Sequence, residues 1–203
     1  MSQPIRCQAV SWHQFDRLVR ELAASIRASG FRPDLIVAIA RGGFVPARIL
    51  CDYLEVMELA SFRIEHYRGK SKAAEARIQQ PLTVEVQGKA VLVVDDLSDS
   101  GGTFALAVEY LNGLGAGTVR SAALHHKLGS RFEPDFCAKR IRKWRWLSYP
   151  WARLEDVSGL IRDLERPWGS PAEIAAKLQT RHGLRVSVAT IADALAMGEA
   201  GRG

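Results

Sequence analysis

The chain has no apolar run near the roughly 20 residues needed to span a bilayer, and no secretory hydrophobic region at its N-terminus. These absences speak against a membrane span and against export, and a cytoplasmic protein is expected. Cysteine is scarce: Cys7, Cys51 and Cys137 are scattered, odd in number and without metal-ligand spacing. That excludes a disulfide framework or a zinc cluster and leaves them as buried apolar fillers. The formal net charge of +6 is not gathered into a long run. The densest basic cluster, Lys139, Arg140, Arg142, Lys143 and Arg145, reads as a solvated face, so nucleic acid is not the expected partner, although the charge suits a polyanionic small molecule. With 47% hydrophobic and 25% charged residues, 203 residues can bury one full α/β core and leave a small appendage.

What is present centres on Val91 to Thr103. Val91-Leu92-Val93-Val94 reads as a parallel strand buried on both faces. It should stop at the adjacent carboxylates Asp95 and Asp96, which a buried strand interior would not tolerate. Asp99, Ser100, Gly101, Gly102 and Thr103 follow, and a helix is expected over 104–111. A strand, a glycine turn and a helix start together form an anion cradle, since glycine lets backbone N–H groups approach a phosphate. No Gly-Lys-Ser/Thr follows these glycines, and they do not form Gly-x-Gly-x-x-Gly, so neither a Walker A loop nor a dinucleotide fingerprint is present there. Carboxylates beside an anion cradle suit a ligand with two faces. A ribose 5-phosphate is one: the turn takes the phosphate and the acids accept hydrogen bonds from the ribose hydroxyls.

Ser11-Trp12-His13-Gln14 has the form of a capping box, and Phe15, Leu18, Val19, Leu22, Ala23 and Ile26 continue it as a helical stripe ended by Gly30. His13 is a surface residue at that helix start. Leu35 to Ala40 reads as a second buried strand. It runs into Arg41-Gly42-Gly43 and a helix with Pro46 near its start, a second candidate phosphate loop. Ser61 to Tyr67 and Leu82 to Val86 read as strands. Between them the polar stretch from Arg68 through Gln80 is long enough to be functional or mobile. Thr118 to His126 is a strand ending at Lys127, at the sheet edge where ligands of open parallel sheets bind. His125 and His126, adjacent on a strand, point to opposite faces and make no metal pair.

Asp95-Asp96-Leu97-Ser98-Asp99-Ser100-Gly101-Gly102-Thr103 resembles the phosphoribosyl-pyrophosphate (PRPP) signature of type I phosphoribosyltransferases, especially the 6-oxopurine salvage branch. The resemblance covers about residues 30 to 155. It implies an α/β fold with a mostly parallel twisted sheet flanked by helices, and transfer of a phosphoribosyl group from PRPP to a purine with release of pyrophosphate. It implies that Ser100, Gly101, Gly102 and Thr103 hold the 5-phosphate, and that Arg41 and Gly42 hold pyrophosphate on a loop that often contains a cis peptide. Asp95 and Asp96 would position the ribose hydroxyls, with Asp96 also near Mg²⁺, and Asp99 would exchange a proton near N7 of the base. A lid over about 68–80, with Lys70 and Ser71, would close over PRPP. Lys127 would donate to the oxygen at C6. Trp146-Leu147-Ser148-Tyr149-Pro150-Trp151 resembles the family's Trp-Ile-x-x-Pro-Trp segment, so Trp146 would stack on the purine, backbone groups near Leu147 would read its edge, and Trp151 would pack. Ser148 stands where some members carry an acid for a 2-amino group, so guanine preference is not implied. A homo-oligomer, dimer or tetramer, is expected.

From Leu154 the resemblance lapses. The expected division is a core over 1–155 and a helical C-terminal appendage over 156–203. Leu154, Val157, Leu160, Ile161 and Leu164 form an amphipathic helix ended by Pro167. Ser170-Pro171-Ala172-Glu173 is a second capping box, and Ser187 caps a last helix. Two short helices about a glycine turn resemble a helix-turn-helix. That leaves open a PRPP-sensing, nucleic-acid-binding regulator, and the residues also leave open a transferase for another base such as adenine or a pyrimidine.

Overall fold

Val91 to Val94 have no exposed surface, and they lie in one of the two central strands of the sheet. A computed structural model describes residues 4–67 and 75–200. Two compact units make up the chain: residues 16–143, and residues 1–15 together with 144–203.

In residues 16–143 a six-stranded sheet has the order β4-β3-β2-β5-β6-β7. Its strands are β2 (Leu35–Ala40), β3 (Leu59–Tyr67), β4 (Glu75–Gln80), β5 (Ala90–Ser98), β6 (Thr118–Lys127) and β7 (Phe136–Ile141). All neighbours are parallel except β3 and β4. Leu35, Val37, Ile39, Val91 and Val93 share one face and pack with Phe104, Ala107 and Leu111 of helix α3 (Gly102–Gly113). Ile36, Ala38, Leu92 and Val94 point the other way and are equally buried. Burial on both faces is why these strands are continuous apolar runs rather than alternating ones.

Helix α1 (Trp12–Ala28) starts at the expected box: Ser11 Oγ accepts from Gln14 N at 3.1 Å, and Gln14 Oε1 accepts from Ser11 N at 2.9 Å. Its six stripe residues are all buried. Helix α2 (Phe44–Leu54) follows β2 after the turn at residues 41–43. The chain leaves β2 through α2 to β3 on one side, and leaves β5 through α3 to β6 on the other. The carboxyl ends of β2 and β5 therefore form a topological switch point, where open α/β sheets carry their ligands.

Two expectations about strands need correction. Strand β5 does not stop at Asp95 but continues through Ser98, because β6 extends beside it and pairs Asp95 with Ala123, Leu97 with His125 and Ser98 with His126. Residues 82–86 form no strand. The free edge of β3 is already taken by β4, which occupies residues 75–80 of the stretch expected to be lid. Leu82 and Val86 instead pack against the core, and Leu82 N donates to the Tyr110 hydroxyl at 3.0 Å. Lys70 and Ser71 lie outside the described residues.

In the other unit, β1 (Cys7–Ala9) pairs in parallel with β8 (Trp146–Ser148), so residues 144–155 sit with the C-terminal helices rather than with the sheet expected to hold them. Helices α4 (Arg153–Arg162), α5 (Pro171–His182) and α6 (Val188–Ala200) share one core of Cys7, Val157, Leu160, Ile161, Ile174, Leu178, Leu184 and Ile191. The α5 capping box forms with Pro171 at the first turn, and Ser187 Oγ accepts from Thr190 N at 3.1 Å to cap α6. His182 Nδ1 lies 2.8 Å from Ile5 O. The C-terminal helices are thus half of a core that the N-terminal strand completes, not a detachable tail.

Inside the sheet, burial and then the charge of Lys139 lower the His125 pKa to about 4. The unfolded chain takes up this proton near 6.5, so the folded state is favoured above that pH and loses up to about 3 kcal/mol as pH falls from 6.5 to 4. Urea unfolding at stepped pH should show that loss, and His125→Gln should flatten it. An equal loss in the variant would assign the acid sensitivity to other groups.

Candidate active site

Two helices start at the switch point, and neither has a side-chain cap. The N-cap of α2 is Gly43 and that of α3 is Gly101, with no side-chain hydrogen bond at either. By contrast, Ser11 and Ser170 cap α1 and α5 with their side chains. Helix starts without a side-chain cap, with the positive ends of two helix dipoles behind them, suit an anion.

Gly101 is at φ +88°, and a Cβ there would fall 2.5 Å from Phe132 N and 2.7 Å from Ser130 Oγ. Position 101 therefore requires glycine for its backbone conformation and for the space behind it. That backing comes from the loop after β6: Arg131 N donates to Ser100 O at 3.1 Å, and Ser98 Oγ and Ser130 Oγ both donate to Phe132 O. The sequence offered no signal for this support, which lies about thirty residues downstream of the loop it holds. Ser100 is exposed and Gly102 and Thr103 open the helix, so the four expected phosphate residues form one continuous turn.

On the facing loop the Ala40–Arg41 peptide is cis. A Cβ on Gly42 would meet the Asp96 carboxylate at 2.7–2.8 Å. Gly42 and Asp96, 54 positions apart, are thus in close approach across the end of the sheet. Strand β2 pairs with β5 only as far as Val94, which leaves the β2 side of Asp95 and Asp96 to the Arg41–Gly43 loop. Asp95 Oδ1 accepts from Asp96 N at 2.9 Å. Burial first, and then the neighbouring Asp96 charge, raise the Asp95 carboxyl well above the usual range. Ionisation of Asp95 is thus opposed by burial and by the adjacent acid, an opposition that a nearby cation would relieve.

Lys127 and Asp99 meet directly, which their sequence separation did not foretell. Lys127 Nζ donates to Asp99 Oδ2 at 2.7 Å, with the lysine side chain 4% exposed and the aspartate 46%. The pair sets one donor and one acceptor side by side, with the carboxylate open to solvent. Of the sequence-predicted residues, the structure brings together Arg41, Gly42, Asp95, Asp96, Asp99, Ser100, Gly101, Gly102, Thr103 and Lys127 at the carboxyl ends of β2, β5 and β6.

In the other unit, Trp146 is 44% exposed and Leu147 is buried, its backbone in register with Gln8. Trp151 packs as expected, stacked on Tyr149 at 4.9 Å between centroids and edge-on to Phe15 at 5.0 Å. Ser148 is fully buried and receives Arg153 Nε at 3.0 Å.

The phosphoribosyl transferase domain family matches residues 8–152. A xanthine-guanine phosphoribosyltransferase of Nitratidesulfovibrio vulgaris strain Hildenborough is 30% identical over 142 residues, covering 70% of this chain and 82% of that protein. Among solved structures, a purine phosphoribosyltransferase from Pyrococcus horikoshii Ot3 superposes with a TM-score of 0.63 at 31% identity, over 71% of this chain and 93% of that one. A Neisseria gonorrhoeae protein with bound ppGpp gives 0.67 at 28% identity, over 76% and 93%.

The turn at Gly101 yields a direct test. Gly101→Ala should cost about 2 kcal/mol or more, from the left-handed backbone and the blocked space together, read as a lowered urea midpoint. Ser100→Ala, one residue away and exposed, should shift the midpoint by less than about 0.5 kcal/mol. Equal stability of Gly101→Ala and the native chain would contradict the tight turn.

Proposed function

The chain belongs to the phosphoribosyl transferase domain family, and on that footing we propose that it transfers the phosphoribosyl group of PRPP to a 6-oxopurine, releasing pyrophosphate. The observation that carries this reading is the pairing of two uncapped helix starts with an acid pair at one end of one sheet. A ligand with phosphates at both ends and hydroxyls between them has a partner for each part.

In this reading Ser100, Gly101, Gly102 and Thr103 hold the 5-phosphate, while Arg41 and Gly42 hold pyrophosphate. Asp95 and Asp96 accept from the ribose hydroxyls and fix the sugar. The C1–pyrophosphate bond breaks and a C1–nitrogen bond to the base forms, through an oxocarbenium-like state. Fixed geometry and electrostatics therefore do most of the catalytic work. Among the described residues no cluster of three or more metal-ligating side chains exists, and the acid pair offers two carboxylates at this end of the sheet. That donor set fits Mg²⁺, which takes one or two carboxylates and fills its shell from phosphates and water. Asp96, with Asp95 beside it, would hold the ion, whose charge would offset that of the departing pyrophosphate. Lys70 and Ser71 keep their proposed place in the lid, and Trp146 and Leu147 theirs against the base, on the strength of the resemblance. Assembly into a dimer or tetramer belongs to the same reading.

The Lys127–Asp99 pair supports the choice of base. The oxygen at C6 and N7 are neighbouring atoms on one edge of a purine. A lysine donor beside a carboxylate acceptor matches a carbonyl oxygen beside a ring N–H, and Asp99 can take that N7 proton as the new bond forms. Adenine would set its own amino donors against the ammonium. The exposed face of α6 carries Val188, Ala192, Asp193 and Met197, and the helix has no Lys or Arg to meet a phosphate backbone, in keeping with a small-molecule partner. No helix among the described residues is long and apolar enough to cross a membrane.

A panel of free bases with PRPP and Mg²⁺, scored by nucleotide and pyrophosphate formed, tests the proposal. Hypoxanthine should exceed adenine by up to about 10⁴-fold in kcat/KM, with guanine close to hypoxanthine. Lys127→Ala should lose most of the preference, chiefly through the oxopurine. Efficient use of adenine with hypoxanthine inert would overturn the assignment.

A further inference from the structure

The exposed tryptophan of β8 is held by a side chain that no motif contains. Trp146 Nε1 donates to Asp156 Oδ1 at 2.8 Å. At 44% exposure the indole N–H could be satisfied by water, so no buried acceptor is needed for hydrogen bonding alone. A second tryptophan N–H in this unit, that of Trp168, donates to a backbone carbonyl, Leu164 O at 3.2 Å. Placing a carboxylate at Trp146 is the costlier choice, because partial burial disfavours its charge. Burial raises the Asp156 carboxyl above its ordinary range, against the pull of the Ser148 hydroxyl and the Trp146 N–H facing it.

Asp156 is itself fixed. It lies in the first turn of α4, and Arg153 ties that turn to β8 and to the end of β1. Its Nε donates to Ser148 Oγ, and its terminal nitrogen donates to Ser148 O and Val10 O, each at 3.0 Å. Ser148 lies two residues after Trp146 on the same side of the strand and is fully buried. It serves this anchor and is not available to a ligand. The network immobilises the edge of the indole and leaves ring surface open.

We propose that Asp156 is a positioning residue that fixes the Trp146 indole as a preformed stacking platform for the base. The proposal rests on the transferase reading above. An indole free about two torsions would have to be ordered when the base binds, and the Asp156 bond removes that freedom beforehand. The effect should therefore fall on the base and not on PRPP.

The test compares Asp156→Ala with Asp156→Asn, which keeps an acceptor oxygen, in the native and Trp146→Phe backgrounds. Asp156→Ala should raise KM for hypoxanthine roughly tenfold, the scale of one charge-assisted hydrogen bond, with KM for PRPP unchanged and kcat within about twofold. Asp156→Asn should stay within about threefold of the native protein. In the Trp146→Phe background Asp156→Ala should add less than about twofold, since the two residues act as one unit. An unchanged base KM in Asp156→Ala would overturn the proposal, as would an undiminished effect without the indole, or base and PRPP KM rising together. The Trp146 indole N–H resonance supplies a readout independent of activity. It should be protected from exchange in the native protein and Asp156→Asn, and exchange freely in Asp156→Ala; equal protection in all three would also overturn the proposal. A native protein inactive on every base would instead defeat the transferase reading, with the resonance still deciding what Asp156 does to Trp146.

Discussion

Everything at the carboxyl end of the sheet depends on β2 ending before β5 does. Pairing between them stops at Ala38 and Val94, and β5 runs on in register with β6. Into the space beside Asp95 and Asp96 comes the Arg41–Gly43 loop, with Gly42 so close to Asp96 that a methyl group could not fit. The acid pair, the Arg41–Gly43 loop and the Ser100–Thr103 turn are brought to one end of the sheet by this stagger. The same stagger places two like charges side by side with burial around one of them. That arrangement is unfavourable alone and makes sense when cations and hydroxyl donors complete it.

Much of this was legible because buried parallel strands write themselves as unbroken apolar runs. Strand β2 has the bounds its sequence predicts, and both capping boxes form with the hydrogen bonds their residues imply. The Gly101 turn and Lys127 at the end of β6 were equally visible. What could not be read was partner-dependent. Leu82, Val84 and Val86 alternate like a strand, yet β4 had already satisfied the edge they would have needed, and the polar composition of 75–80 hid that strand. Residues 144–155 looked like an extension of the core, but the short β8 finds its partner in β1, at the opposite end of the chain. The contact between Lys127 and Asp99, and the support of Gly101 by Ser130 and Phe132, join residues about thirty positions apart and leave no periodic trace.

The unit containing both termini shows how an appendage becomes structural. Cys7 lies in the same core as Ile174, Leu178 and Ile191, and Arg153 joins β8 to Val10. The family match ends at residue 152, just before the helix that carries Arg153 and Asp156. Residues outside the family segment thus brace a tryptophan inside it. This arrangement gives the C-terminal helices a physical role without invoking a second ligand.

The central claim is that the acid pair and the anion turn serve one ligand with two faces. It is tested most directly by titrating PRPP with Mg²⁺ into the native protein and into the Asp95→Asn/Asp96→Asn double variant. The substitution keeps side-chain size and removes the charge proposed to receive the ribose hydroxyls and the metal. The account predicts that the native protein binds PRPP and that the variant, still folded by circular dichroism, binds it at least about tenfold more weakly, the scale of one or more charge-assisted hydrogen bonds. Unchanged PRPP affinity in the folded variant would contradict it.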